Sequence, residues 1–279
     1  MTRTIAIYAV LLLSLSGAAA WSGEVNGAVV SGAAEIEQAA EVLEGTWTAR
    51  YAGRRGQAPD TSRIYLQFNF DTSNMGQSWR AADVGGLDLS RDADNITLEL
   101  RREAGTIKMS GNVRGRRGFG IFDFVPNPEF TRQIGAAPGR RDLTAGRLFT
   151  LAVHDVSRAW INQLEALGYK NLDLDELLAM RIHGASPAFL RELSTLGYSG
   201  LAFKDVIAFR IHGVTPDFVQ ELADVGYKDV AAKHLIAFRI HGVDGEFVKD
   251  LKEQGFANLT PNDLVDARIH GRRWVRRRQ

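Results

Sequence analysis

The chain has no cysteine, which excludes disulfides, thiolate metal cages, a cysteine nucleophile and the lipidated cysteine that tethers a bacterial lipoprotein. Excess charge of either sign is also missing. Its 34 Lys and Arg against 33 Asp and Glu leave a formal net charge of +1, too little to gather nucleic acid or membrane by a global field. No nucleic-acid partner is therefore expected. Long apolar runs are absent after the first twenty residues, so no later segment reaches the ~20 apolar residues of a spanning helix. A P-loop, a nucleophile elbow, a zinc-binding HExxH and a dinucleotide fingerprint are missing too, so neither catalysis nor a metal nor a cofactor is expected. What is present is a globular composition, 45% hydrophobic and 24% charged, over 279 residues, enough for two domains.

Arg3 precedes an apolar run over residues 5–15, and five small residues at 16–20 follow before Trp21. A basic start, an apolar core and a small-residue cleavage site read as a secretory signal peptide over residues 1–20. An uncleaved anchor is the alternative. The protein is thus expected outside the cytoplasm, periplasmic or extracellular, with residues 21–45 as a linker or short helix.

From residue 46 the hydrophobic period becomes two. Ile64, Leu66, Phe68 and Phe70 alternate with Tyr65, Gln67 and Asn69, and Ile96, Leu98 and Leu100 with Thr97, Glu99 and Arg101, so each strand has one buried face. Ile107, Met109 and Val113 repeat the pattern. Turn residues at 103–105 and at 115–118 mark two hairpins. The reading is α+β: an antiparallel β domain of six strands over residues 46–130, a small sandwich, a half barrel or a curled sheet, followed by helices. The GTW of Gly45, Thr46 and Trp47 resembles the first strand of lipocalin-like barrels, yet the block is too short for eight strands closing on a ligand.

The tetrapeptide RIHG then recurs four times at a period of 29, as Arg181, Ile182, His183, Gly184; Arg210, Ile211, His212, Gly213; Arg239, Ile240, His241, Gly242; and Arg268, Ile269, His270, Gly271. Residues 152–155 hold a decayed copy. Ser157, Ser186, Thr215 and Asp244 stand in the same frame before amphipathic runs and can accept from free N–H groups at a helix start. Pro187 and Pro216 suit a first turn. Gly197 and Gly184 are placed where a left-handed residue ends a helix. Helices of about ten residues are too short to stand alone, so residues 143–271 read as an α-solenoid of four and a half two-helix units.

The four histidines do not imply a shared ion, because equivalent residues of stacked units stand about 8–10 Å apart while zinc needs nitrogens at about 2 Å. Arg and His in a last helical turn complement its dipole and can bond its terminal carbonyls, and His183, His212, His241 and His270 are read as structural together with the glycines that follow them. The candidate binding residues are the repeat arginines Arg181, Arg210 and Arg239, and the tail over residues 272–279, with Arg272, Arg273, Trp274, Arg276, Arg277 and Arg278. Residues 143–271 hold 13 basic and 17 acidic side chains, a net of −4, opposite in sign to that tail. The tail could therefore contact an anionic surface or an acidic partner.

LELRREAGTI at 98–107, FGIFDFVPNPEF at 119–130, LAVHDVSRAW at 151–160 and units of the form LxxLGYxxL...AFRIHGVTPDFV resemble an uncharacterised family of secreted bacterial proteins. Similar repeats are fused in that family to membrane metallopeptidases of the beta-lactam-sensor type. The resemblance implies an extracytoplasmic sensing or docking part, not a peptidase. The function expected is an exported, non-catalytic protein–protein interaction protein that binds through the repeat surface. Its alternatives are a β domain that binds a small ligand, with the array as spacer, and a hydrolase.

Overall fold

The structure, a computed structural model, describes residues 41–53, 58–271 and 273–274. The expected signal peptide, most of the expected linker, and Arg272, Arg276, Arg277 and Arg278 lie outside the described residues. The described residues form six strands followed by ten α-helices. The strands are β1 (Leu43–Ala52), β2 (Asp60–Phe70), β3 (Ser73–Arg80), β4 (Ala93–Arg102), β5 (Gly105–Arg114) and β6 (Arg117–Pro126). The first begins at Leu43, within the stretch read as linker. They make one antiparallel sheet in the order β3-β2-β1-β6-β5-β4, so the sandwich alternative does not hold. Besides the two hairpins expected, a third joins β2 to β3 at Asp71, whose φ of 47° a short polar side chain tolerates.

The sheet is strongly curled. Five strand spacings of about 4.8 Å would hold its edges about 24 Å apart if flat, yet the Arg102 guanidinium of edge strand β4 lies 5.1 Å from the ring centroid of Trp79 on the opposite edge, β3. Glycines permit this bend. Gly111 and Gly120 are partners across β5 and β6, and Trp47 of β1 lies beside Gly120 in register. The indole is fully buried and its Nε1 donates to the Ser110 carbonyl at 3.2 Å. A methyl on Gly118 would lie 2.7 Å from that ring.

The helices are α1 (Pro128–Gly135), α2 (Ala145–Val153), α3 (Arg158–Ala166), α4 (Leu174–Ile182), α5 (Pro187–Thr195), α6 (Phe203–His212), α7 (Pro216–Asp224), α8 (Ala232–His241), α9 (Gly245–Glu253) and α10 (Pro261–His270). Ser157, Ser186, Thr215 and Asp244 each accept from the backbone N–H three residues on, at the starts of α3, α5, α7 and α9. The first helix of each unit is followed by a left-handed glycine, Gly168, Gly197, Gly226 or Gly255, with φ from 90° to 97°. Three residues on, a second left-handed position holds Asn171, Gly200, Asp229 or Asn258, the residue types that conformation admits. First helices pack on first helices from α3 to α9, and second helices on second helices from α4 to α10.

The stack begins earlier than residue 143. Asn127 caps α1 and Pro128 opens it, as Ser186 and Pro187 do in α5, and Gly139 is left-handed at φ 75°, in frame with Gly168. Thus α1 and α2 form a fifth helix pair, and α2 is its point of attachment to the sheet. It lies across β1, β6 and β5 and drives the fully buried Phe149 among Phe68, Phe70, Phe122 and Phe124, with ring centroids 5.2, 5.1, 5.0 and 5.4 Å away. The concave face of the sheet is thereby filled.

Candidate functional site

Each repeat arginine acts between units. Arg181 Nε donates to the His154 carbonyl at 2.7 Å, Arg210 to that of His183 at 3.0 Å, and Arg239 to that of His212 at 3.4 Å. Each reaches the C-terminal end of the preceding unit's second helix rather than its own. On the way each guanidinium covers an aromatic ring of the intervening helix: Arg181 on Trp160, Arg210 on Phe189, Arg239 on Phe218 and Arg268 on Phe247, at 5.3, 4.7, 4.8 and 4.8 Å. Cation–π attraction and a charge-assisted bond to a helix terminus act together.

The glycine of RIHG serves both ends of this clamp. Gly184, Gly213 and Gly242 are left-handed, with φ of 71° to 73°, and a methyl there would meet the next arginine's Nη2 at 3.0 to 3.4 Å. Gly271, the glycine of the last copy, takes a different conformation, φ 49° and ψ −124°. A second clamp runs along the glycine-tyrosine positions. Tyr198 Oη donates to the Val230 carbonyl at 2.8 Å and Tyr227 to that of Leu259 at 2.7 Å, and burial raises both phenol pKa values above the usual range. The buried Arg140 stands in the same frame and reaches the Leu172 carbonyl at 2.7 Å.

The expected binding role of Arg181, Arg210 and Arg239 thus meets side chains already engaged in holding the stack together. His183, His212, His241 and His270 are exposed at their side chains, and where the clamp forms it is a histidine carbonyl, not an imidazole, that receives the arginine. Among the described residues no group of three His, Asp or Glu stands close enough to hold a metal ion. Trp274, read from the sequence as a binding residue, is buried against Phe256 with ring centroids 5.3 Å apart. An aromatic at that place covers the last unit's core, so Trp274 seals the array, while Arg273 beside it is exposed.

What the clamps leave outside is the second letter of the motif. Ile182, Ile211, Ile240 and Ile269 are 51 to 57% exposed, a ridge along the second helices with one isoleucine per unit. Other exposed positions differ from copy to copy: Asn162, Arg191, Gln220 and Lys249 share one frame, and Lys170, Ser199, Lys228 and Ala257 another. Packing explains why the buried positions repeat, and the clamp explains the arginine and the glycine. Neither explains an unchanged, exposed isoleucine followed by an unchanged, exposed histidine. The first pair gives the comparison. Val153 stands in the isoleucine frame and Phe149, one helical turn before it, in the frame of Leu178, Ile207, Ile236 and Val265. In α2 this same face is seated on the sheet, and Val153 is buried.

At the junction with the sheet the motif changes once more. Asp155 occupies the glycine frame and keeps the left-handed conformation, φ 54°. Its carboxylate pairs with Arg181 at 3.2 Å and with Arg102 of β4 at 3.4 Å. His154 lies beside it, its pKa lowered by burial first and by the Arg181 charge second. A left-handed side chain costs about 1–2 kcal/mol, whereas ion pairs of a carboxylate this exposed are worth about 1 kcal/mol or less. Asp155→Gly should therefore stay near the parent in stability, and Asp155→Ala, which keeps the backbone strain and loses the pairs, should fall about 1 kcal/mol below Asp155→Gly. Urea unfolding of the two variants measures the difference, and equal midpoints would contradict it.

Comparisons with protein-family models, with curated proteins and with solved structures find no match for this chain. No described helix is long and apolar enough to cross a membrane.

Proposed function

We propose that the protein is an exported, non-catalytic docking protein that captures a protein partner along the isoleucine ridge of its helix stack. The observation that carries this reading is the ridge itself: four identical apolar side chains held exposed on a scaffold that other residues build. The partner chemistry follows from α2. The ridge face packs there on an antiparallel sheet, so the partner we infer presents an apolar sheet face. Covering each half-exposed isoleucine returns about 1 kcal/mol, and four of them about a thousandfold in affinity. Packed helices about 8–10 Å apart give the ridge a length of roughly 25–30 Å. Location outside the cytoplasm rests on the basic, apolar and small-residue pattern of the first twenty residues. The arginine-rich tail beyond Trp274 adds a means of contact with an anionic surface.

The small-ligand alternative is weakened by Phe149, which occupies the concave face that such a ligand would need. Crosslinking and capture from the native envelope with the full mature chain test the proposal. Replacing Ile182, Ile211, Ile240 and Ile269 together by Ser should abolish capture while leaving the unfolding midpoint within the small range of surface substitutions. Undiminished capture by that variant would overturn the reading. Light scattering against concentration shows whether the partner is a second copy of the chain.

A further inference from the structure

We propose that the cleft where the curled sheet meets the helix stack is a binding site for a small molecule carrying an oxyanion, a phosphate or a carboxylate. The cleft holds about 370 Å³, a volume in the range of small-ligand sites. Both edges of the sheet contribute to it, with Arg63 of β2, Trp79 and Arg80 of β3 and Arg102 of β4, and the stack contributes His154, Asp155 and Arg181. Four guanidiniums thus face two carboxylates, those of Asp155 and Asp83. Asp83 is taken up by Arg80 at 2.8 Å, and Asp155 is shared between Arg102 and Arg181. Positive charge remains in excess.

A second, independent observation concerns hydrogen-bond donors. Three side-chain N–H groups among the described residues are buried without a hydrogen-bond partner: Trp79 Nε1, Arg102 Nε and Trp160 Nε1. Trp79 and Arg102 line this cleft, and Trp160 lies directly under Arg181. Trp79 is more than nine-tenths buried. The Asp155 carboxylate approaches Arg102 Nε to 3.4 Å, near enough for ion pairing, but it does not accept a hydrogen bond there. Buried donors without acceptors are rare because each loses its bonds to water. Two of the three, on Trp79 and Arg102, belong to residues that line one cationic cleft, where an oxyanion supplies several oxygens with the complementary charge. The arrangement also accounts for Asp155 in the glycine frame. Its carboxylate holds Arg102 and Arg181 together at the cleft.

The test is a titration of the full mature chain, followed through the tryptophan indole and arginine Nε resonances, with inorganic phosphate and with acetate at constant ionic strength set by chloride. Saturable shifts of the Trp79 indole N–H and the Arg102 Nε–H are expected. Arg102→Gln should weaken the binding at least tenfold. Arg63→Gln with Arg80→Gln, two changes at exposed positions, should weaken it severalfold, and this pair keeps the test valid if Arg102→Gln does not fold. Tighter phosphate identifies a phosphorylated ligand and tighter acetate a carboxylate one, and either supports the site. Resonances that stay unmoved, or that move equally in the Arg63→Gln/Arg80→Gln variant, would overturn it. The isoleucine-to-serine variant described above should bind the anion normally, because the cleft and the ridge are separate.

Discussion

Phe149→Ala is expected to destabilise the protein by about 4 kcal/mol, the cost of emptying a fully buried aromatic site. Phe149 is the one ring of the helix stack in contact with all of Phe68, Phe70, Phe122 and Phe124. It is stacked nearly parallel to Phe122, at an interplanar angle of 14°, and stands edge-on to the others. Such pairs add about 0.5–1.5 kcal/mol each to burial. Ordinary domains are stable by only about 5–15 kcal/mol, so the loss is a large share of the total. The same substitution removes the wedge joining sheet to stack, and unfolding in urea should separate into two transitions where the parent shows one. Phe149→Leu, which keeps most of the volume, should recover more than half of the loss. A Phe149→Ala midpoint within 1 kcal/mol of the parent would mean that the wedge is dispensable.

Gly120→Ala should cost about 3 kcal/mol for a different reason, overpacking against backbone that cannot give way. A methyl at this position would lie 1.9 Å from the Ser110 carbonyl oxygen and 2.6 Å from the Gly111 Cα. Relief requires β5 and β6 to part, which would break the Trp47 Nε1 bond to Ser110 and flatten the bend that brings Trp79 to Arg102. Denaturant unfolding measures the stability loss, and a resolved change in the Trp79 environment distinguishes flattening from a purely local defect.

Much of this architecture is legible in the residues, and what is not has physical causes. The period of two in Ile64 to Phe70 and in Ile96 to Leu100 was enough for the strands, because alternation is local. The curl was not legible, since it depends on Gly111, Gly118 and Gly120 meeting Trp47 from another strand. The 29-residue period gave the helix pairs and their caps, yet the first pair escaped it: Asn127, Pro128 and Phe130 keep the cap, proline and aromatic spacing of later units but stand one residue out of the 29-residue frame. The repeat arginines were recognisable as important, but their partners lie 27 residues back in the chain, and reading them as last-turn charges assigned the bond to the wrong helix. Trp274 looked like part of a basic tail because the ring it covers, Phe256, belongs to the previous unit. The isoleucine ridge had a clear signal, an apolar residue between Arg and His in every copy, which becomes informative only once its exposure is known.

The clamps have one more consequence. The bonds from arginine to histidine carbonyl and from tyrosine to backbone carbonyl run to an adjacent pair, and the sheet is reached near the start of the stack, through Phe149 of α2, Asp155 to Arg102 and Arg158 to Glu103. Whole 29-residue modules can then be gained or lost from the middle without rebuilding either end. Copy number sets the reach of the apolar edge as a ruler does, one isoleucine per mark, so lineages could tune grip on a partner by duplication alone.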